Sequence, residues 1–332
     1  MKQYDILQCT RMHPCDPILT APSLNLYLSA TVLILCAFDS FCASIAGDSL
    51  AAHTALAKVR SVAPARMQSV LPHVIAIEGN IGVGKSTQIR RLAELFEDNS
   101  HVVVLPEPVD EWVEKGFLQG MYDGSISKGE FQSMVLMSIL GDLLKALARK
   151  PTPALIITER SPWSNRFVFG KANLVGASLD LYEHTWERVL GGLPSELDVK
   201  YVYLKTKVDT IVARMMARGR DAEAGVPREY LETLDKNHDD FIWNETYMHA
   251  IIDGDRNEEA VWHDLCVQLR EWTDELGDEL GGALQDTDLS TEQASELKII
   301  HVAAREVSLR LELECPNPGR ASKRARYDPE TA

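Results

Sequence analysis

The sequence predicts a doubly wound α/β domain, an open five-stranded parallel sheet with helices on both faces. Three observations carry that prediction. Five short runs, His73–Glu78, Val102–Pro106, Ala154–Thr158, Lys200–Leu204 and Ala250–Ile252, are apolar at consecutive rather than alternating positions, as in strands buried on both faces. Between them lie longer segments with helical apolar spacing, such as Phe131, Val135, Ile139 and Leu143. A glycine-rich turn joins the first run to the first of these segments, giving the strand–turn–helix order from which parallel sheets are built.

The 332 residues divide into three regions of different texture. Residues 1–72 read as an N-terminal extension. Leu24 to Phe38 is apolar but shorter than a membrane span, and Ser49 to His73 carries Lys58, Arg60 and Arg66 with no acid. The first stretch suits a signal-peptide core and the second an organelle transit peptide. A plain extension, or a start assigned too far upstream, remains the alternative. Mitochondrial or other organelle targeting and a cytoplasmic location both stay open, with no membrane association in the mature form. Residues 73–273 hold the α/β pattern. Residues 274–332 read as a tail, acidic and then basic and partly disordered, with an appended helix over Ser290–Glu314. The basic cluster Lys323, Arg324 and Arg326 is either solvated tail or a nuclear-import signal. The formal net charge of −15 argues against a general nucleic-acid binder but not against a small anion held in a cleft. Four of the six cysteines fall in the first 42 residues, and no CxxC pair or zinc-type His cluster occurs, so a reducing compartment fits the α/β region.

The first strand runs into Gly79-Asn80-Ile81-Gly82-Val83-Gly84-Lys85-Ser86-Thr87, which matches G-x-x-x-x-G-K-[ST]. An amphipathic helix with Ile89, Leu92, Leu95 and Phe96 follows, as the motif requires. Its glycines let backbone N–H groups turn inward around phosphates, Lys85 reaches the β- and γ-phosphates of ATP, and Ser86 can ligate Mg²⁺. The fold class narrows to the P-loop NTPase type. No N-K-x-D tetrapeptide follows, which disfavours a GTPase.

The second strand ends at Glu107, at the edge of the sheet where ligands bind in such folds. A carboxylate there can take the proton of an attacking hydroxyl. The third ends in Thr158-Glu159-Arg160-Ser161, with Glu159 where a metal-holding acid stands and Arg160 able to anchor Glu107 or the substrate oxygen. After the fourth strand, Arg214, Arg218 and Arg220 precede a Gly-containing loop with Glu223. This pattern suits an arginine-rich lid closing over phosphates.

These residues resemble the deoxynucleoside kinase family. The resemblance spans Val74 to Trp272 and rests on Gly79–Thr87, Glu107-Pro108-Val109…Trp112, Met121-Tyr122, Phe131-Gln132, Glu159-Arg160-Ser161…Arg166…Phe169 and Arg218-Gly219-Arg220…Glu223…Val226-Pro227…Tyr230-Leu231. It implies transfer of the ATP γ-phosphate to the 5′-hydroxyl of a deoxyribonucleoside. Glu107 is then the general base steadied by Arg160, and Tyr122 and Glu223 hold the sugar 3′-hydroxyl. Gln132 reads a pyrimidine edge, and Trp112, Phe131 and Phe169 pack on the base. Ser86 and Glu159 serve Mg²⁺, and Arg214, Arg218 and Arg220 the phosphates. It also implies a homodimer through helices such as 129–149 and 180–190.

The resemblance places the wall behind the base at Val135, Ile139 and Asn165. Members acting on deoxycytidine and deoxyguanosine carry an Arg–Asp pair at the second and third of these positions. Ile139 and Asn165 cannot form it, which implies room for both thymidine and deoxycytidine. Pro162 and Ala222 depart from the usual residues without removing a catalytic group. Thymidylate kinase is the nearest alternative, but its R-E-P-G-G and D-R-[YW] signatures are replaced here by Pro106-Glu107-Pro108-Val109 and Glu159-Arg160-Ser161. A non-catalytic subunit of this fold is a more distant one, disfavoured by the presence of Lys85, Glu107 and Arg160.

Overall fold

The structure is a computed structural model that describes residues 72–316, except Gly192, 194–196, Asp198, Asp221, Ala222, Ala224, Tyr247 and 286–288. The extension to residue 71, the cluster Lys323, Arg324 and Arg326, and the departure at Ala222 therefore lie outside the described residues.

Five parallel strands, β1 (His73–Glu78), β2 (Val102–Leu105), β3 (Leu155–Glu159), β4 (Val199–Lys205) and β5 (His249–Asp253), form one sheet in the order β2-β3-β1-β4-β5. The central strands bury alternate residues on opposite faces. Ile75 and Ile77 of β1, with Leu155, Ile157, Val202 and Leu204, pack on one face against α1 (Lys85–Leu95) and the late helix α10 (Glu258–Ala283). Val74 and Ile156 meet Leu143 and Ala146 of α4 (Lys128–Leu147) on the other face. Ala76, Tyr201 and Tyr203 there meet Leu234 and Phe241 of α9 (Arg228–Glu245). This two-sided burial is why the central strands β1, β3 and β4 read as unbroken apolar runs.

Between β2 and α4 lie the short helices α2 (Val109–Glu114) and α3 (Phe117–Asp123). Helix α4 starts at Ser127, whose hydroxyl accepts from the Glu130 amide while the Glu130 side chain returns to the Ser127 amide. After β3 the chain turns through α5 (Pro162–Ser164), a π-helical turn (Asn165–Gly170) and α6 (Lys171–Asn173) before α7 (Ala177–Leu190). Helix α8 (Val208–Arg218) follows β4.

The expected boundary at residue 273 falls inside α10, which continues unbroken to Ala283. A last helix, α11 (Thr291–Glu314), then packs back along α10. Its Leu297, Ile300, Ala303 and Ala304 meet Leu276 and Leu280, and its Val307 and Leu311 join the core beneath the sheet. The acidic residues after Trp272 fall largely on the outer face of α10, so a segment that is acidic in composition still carries a buried stripe. Among the described residues no helix is long and apolar enough to cross a membrane.

Candidate active site

The carboxyl ends of β1, β2 and β3 lie side by side, and each delivers one part of the site. At the end of β1 the chain enters the loop with Gly79 at φ 147°, where an added Cβ would stand 2.9 Å from the Leu204 carbonyl oxygen. Only glycine lets the loop lie this close to β4. Gly84 closes the loop at φ 109° and caps α1. The Lys85 ammonium folds over the loop, donating to the carbonyl oxygens of Gly79 and Asn80 at 2.9 Å each. Asn80 braces the loop by donating to the Leu231 carbonyl at 2.8 Å and accepting from the Ile81 amide. Burial, then the charge of Arg160, lowers the Lys85 pKa to about 8.

At the end of β3, Glu159 accepts from the Ser86 hydroxyl at 2.7 Å and from the Glu107 amide at 3.3 Å. Burial and the neighbouring Glu107 carboxylate raise its pKa, while Lys85 and Ser86 oppose the rise. Arg160 follows with φ 67°, the one non-glycine residue at positive φ among those described. Its Nε donates to Glu107 Oε2 at 3.0 Å and its Nη1 to the Gly79 carbonyl at 3.4 Å, with the guanidinium 4.1 Å over the Phe169 ring. Glu107 and Arg160 are both almost buried, with side chains 9% and 7% exposed. A desolvated guanidinium, fixed by a second bond to the Gly79 carbonyl, holds a carboxylate more firmly than a surface pair does.

A cleft of about 760 Å³, open to solvent, runs from these groups to an apolar slot. Trp112 and Phe131 form its walls, edge to face at 5.8 Å, with Val135 and Phe169 alongside. Its polar end is Gln132, whose Oε1 accepts from Asn165 Nδ2 at 3.2 Å, while Asn165 Oδ1 accepts from the Tyr182 hydroxyl. Tyr122 and Glu223 line the middle. Glu223 is bonded by Arg218, and by Arg220 at 3.0 Å, and Arg220 reaches Asp110 at 3.5 Å.

The cleft thus gathers Ile81, Gly82, Lys85, Ser86, Glu107, Glu159 and Arg160 at one end. Trp112, Tyr122, Phe131, Gln132, Val135, Asn165, Phe169, Arg218, Arg220 and Glu223 line the rest. Seven expected residues are outside its lining, two of them beyond the phosphate loop. Ile139 is buried behind the slot against Trp112 and Phe131, and Arg214 is tied to the carbonyls of Val83 at 2.9 Å and Arg256 at 3.3 Å. Gly79, Asn80, Val83, Gly84 and Thr87 shape the loop from outside the lining. Val109, Leu118, Met121 and Tyr230, to which the sequence assigned no role, line the cleft as well. Tyr230 had a signal, since it belongs to a quoted motif. Leu118 had none, being one apolar residue on a short helix.

A deoxynucleoside kinase family model matches residues 75–273. The chain belongs to the deoxynucleoside kinase family. Deoxycytidine kinase 1 of Xenopus laevis is 32% identical over 206 residues, covering 52% of this chain and 74% of that protein. Human deoxycytidine kinase is 31% identical over 202 residues, covering 52% and 76%. The thymidine kinase of Ictalurid herpesvirus 1 is 30% identical over 197 residues, covering 57% and 82%. The kinase therefore phosphorylates deoxynucleosides with ATP, in nucleotide salvage. The glycine loop with its buried ammonium fits the phosphates of ATP. Ser86 and Glu159, already 2.7 Å apart, fit Mg²⁺, which takes few protein ligands and completes its shell with phosphate oxygens and water.

Proposed function

We propose that the kinase transfers the γ-phosphoryl group to the 5′-hydroxyl of pyrimidine deoxyribonucleosides, accepting both thymidine and deoxycytidine. The observation that carries this is the pairing of two ends in one cleft. Glu107, gripped by Arg160 at 3.0 Å, stands at the phosphate end, and the amide of Gln132 closes the base end. Glu107 Oε1 makes no hydrogen bond to the described residues and serves as the base for the hydroxyl proton. Lys85, Arg218 and Arg220 spread positive charge around the transferring group, with Arg214 holding the loop from behind. Ser86 and Glu159 would hold Mg²⁺, which would supply charge neutralisation to the phosphates. Tyr122 and Glu223 receive the 3′-hydroxyl.

Breadth toward both pyrimidines rests on the chain Gln132–Asn165–Tyr182. Two amides and a hydroxyl each donate and accept, so the chain can invert as a unit. One sense presents Gln132 to the N3–H and O4 of thymine, the other to the N3 and N4–H₂ of cytosine. The apolar environment of Val135 and Ile139 sets no charge against the thymine methyl, which is worth only ~1–3 kcal/mol of discrimination.

The family core spans residues 73–273, with the rest of α10 and α11 completing the kinase domain beyond it, and the 1–72 extension is a targeting element. Homodimerisation through α4 and α7 is supported by Met137 and Leu144 on α4 and Leu181 on α7, all exposed. A panel of four deoxyribonucleosides and uridine, assayed with ATP and Mg²⁺, tests specificity. Thymidine and deoxycytidine are expected first, purines poorer and uridine poorest. Strict purine preference, or deoxycytidine without thymidine, overturns the reading.

A further inference from the structure

Arg160, which holds Glu107, takes the left-handed backbone conformation, strained for a non-glycine residue and persistent only where neighbours enforce it. Three contacts surround that residue. The Arg160 amide donates to the Ile77 carbonyl at 3.1 Å, and the Thr158 hydroxyl donates to the Arg160 carbonyl at 2.5 Å. The third lies on the next residue, where the Ser161 hydroxyl donates to Glu78 Oε1 at 2.7 Å. Ser161 is itself fixed, accepting from the Ser164 amide at 3.1 Å as the cap of α5.

Glu78 is the last residue of β1 and is fully buried, immediately before the phosphate loop. Its second oxygen, Oε2, has no hydrogen-bond partner among the described residues. An acid in such a place needs a reason, because a neutral apolar residue would pack at less cost. Burial raises its pKa to about 7 against the pull of Ser161 and Arg160. Its surroundings are Ser161 and Ser164 of the turn, Arg160 and Lys85 of the site, and Tyr203, its partner in register on β4, on which His238 of α9 stacks. With an exposure of 0% Glu78 cannot touch a substrate.

We propose that Glu78 is a positioning residue: by holding Ser161 it sets the left-handed turn at Arg160, and thereby aims Glu107 at the acceptor hydroxyl. One carboxylate then links the donor half of the site, whose loop begins at the next residue, to the acceptor half. Gly79 receives both Lys85 and Arg160 on its carbonyl, so displacement of the turn is felt in both halves.

This inference rests on Glu107 being the base, and the experiment separates the two. Glu78→Gln, Glu78→Leu, Ser161→Ala, the Glu78→Leu/Ser161→Ala double variant and Glu107→Gln are compared for kcat and for KM toward thymidine and ATP, with thermal unfolding measured alongside. Leu keeps bulk without an acceptor, while Gln keeps an oxygen for Ser161. The expected result is a kcat lowered about tenfold or more in Glu78→Leu and in Ser161→Ala, with both KM values within about threefold. Glu78→Gln should recover most of the rate. The double variant should be little worse than either single one, because both break the same contact. Additive losses, a Gln variant as slow as Leu, unchanged kcat, or KM rising as kcat falls would each overturn the role. Should Glu78→Leu fail to fold, Ser161→Ala and Glu78→Gln decide alone: normal kcat in Ser161→Ala overturns it. Near-normal turnover in Glu107→Gln overturns the base assignment and this inference together; a slow Glu107→Gln beside a fast Ser161→Ala overturns this inference only.

Discussion

At the scale of single residues, the site is a balance of buried charges. Glu159, Lys85 and Arg160 line the cleft with Glu107, and Glu78 is buried just behind them. Burial raises the pKa of Glu78 and, together with the Glu107 charge, that of Glu159, while burial and the Arg160 charge lower that of Lys85. Glu107→Gln keeps the size of the side chain but cannot take a proton. Turnover should fall by roughly 10²-fold or more with nucleoside binding retained, as steady-state kinetics would show. Near-normal turnover would remove Glu107 from the mechanism. Lys85 makes a second prediction. Its folded pKa of about 8 lies below the unfolded value of 10.5, so this group makes stability rise with pH between those values. Phosphates beside it restore the charged form. Binding of ATP near pH 8 should therefore take up about half a proton, falling toward none near pH 6.5. Calorimetry in two buffers of different ionisation enthalpy measures this, and equal apparent enthalpies at pH 8 would contradict it.

At the scale of elements, α11 is expected from the sequence as an appended helix, but its docking into the main core is not. It lies beyond the 75–273 family match, yet Val307 and Leu311 have no exposed surface and pack with Leu265 and Leu269 of α10 in the main core. Leu311→Ala should cost about 2–5 kcal/mol of folding free energy, measured by urea unfolding, as for other buried leucines. A loss below about 1 kcal/mol would mean that α11 docks only loosely. The lid is the opposite case. Arg218 and Arg220 are held by Glu223, a residue proposed for the sugar, so in that reading sugar and arginines compete for one carboxylate.

At the scale of the whole molecule, two predictions concern what surrounds the kinase domain. Exposed Met137 and Leu181, 55% and 68% accessible, lie on the helices proposed to pair. Met137→Glu with Leu181→Glu should turn a dimer into a monomer, as read by light scattering, at unchanged fold. A wild-type monomer would discard the dimer reading. A protein starting at Met67 should fold and keep its activity, since β1 begins at His73 and every residue of the cleft follows it. Unfolding or inactivity on that truncation would make the extension part of the structure.

The sequence by itself determined what local pattern can encode. Consecutive apolar runs marked the central strands β1, β3 and β4 because burial on both faces leaves no polar side to alternate with, whereas the edge strand β5 leaves Ile251 exposed. The glycines of residues 79–84 announced a backbone shape that few other residues adopt, and helical spacing outlined α1 and α4. The contacts that join distant segments belong to the tertiary structure. Ser161 meets Glu78 across 83 positions with no signal in the sequence, whereas Glu107 meets Arg160 across 53 in a pairing that strand ends and family resemblance, not periodicity, suggest. The same holds for Ile139, whose helical stripe marks it as buried without saying whether it faces the cleft or stands behind Trp112. It holds also for the left-handed turn at Arg160, which an arginine does not advertise and which only its packed neighbours impose. Local propensity chooses the elements; the side of each that meets the site follows from packing them, because burial is a property of the assembled core rather than of any segment.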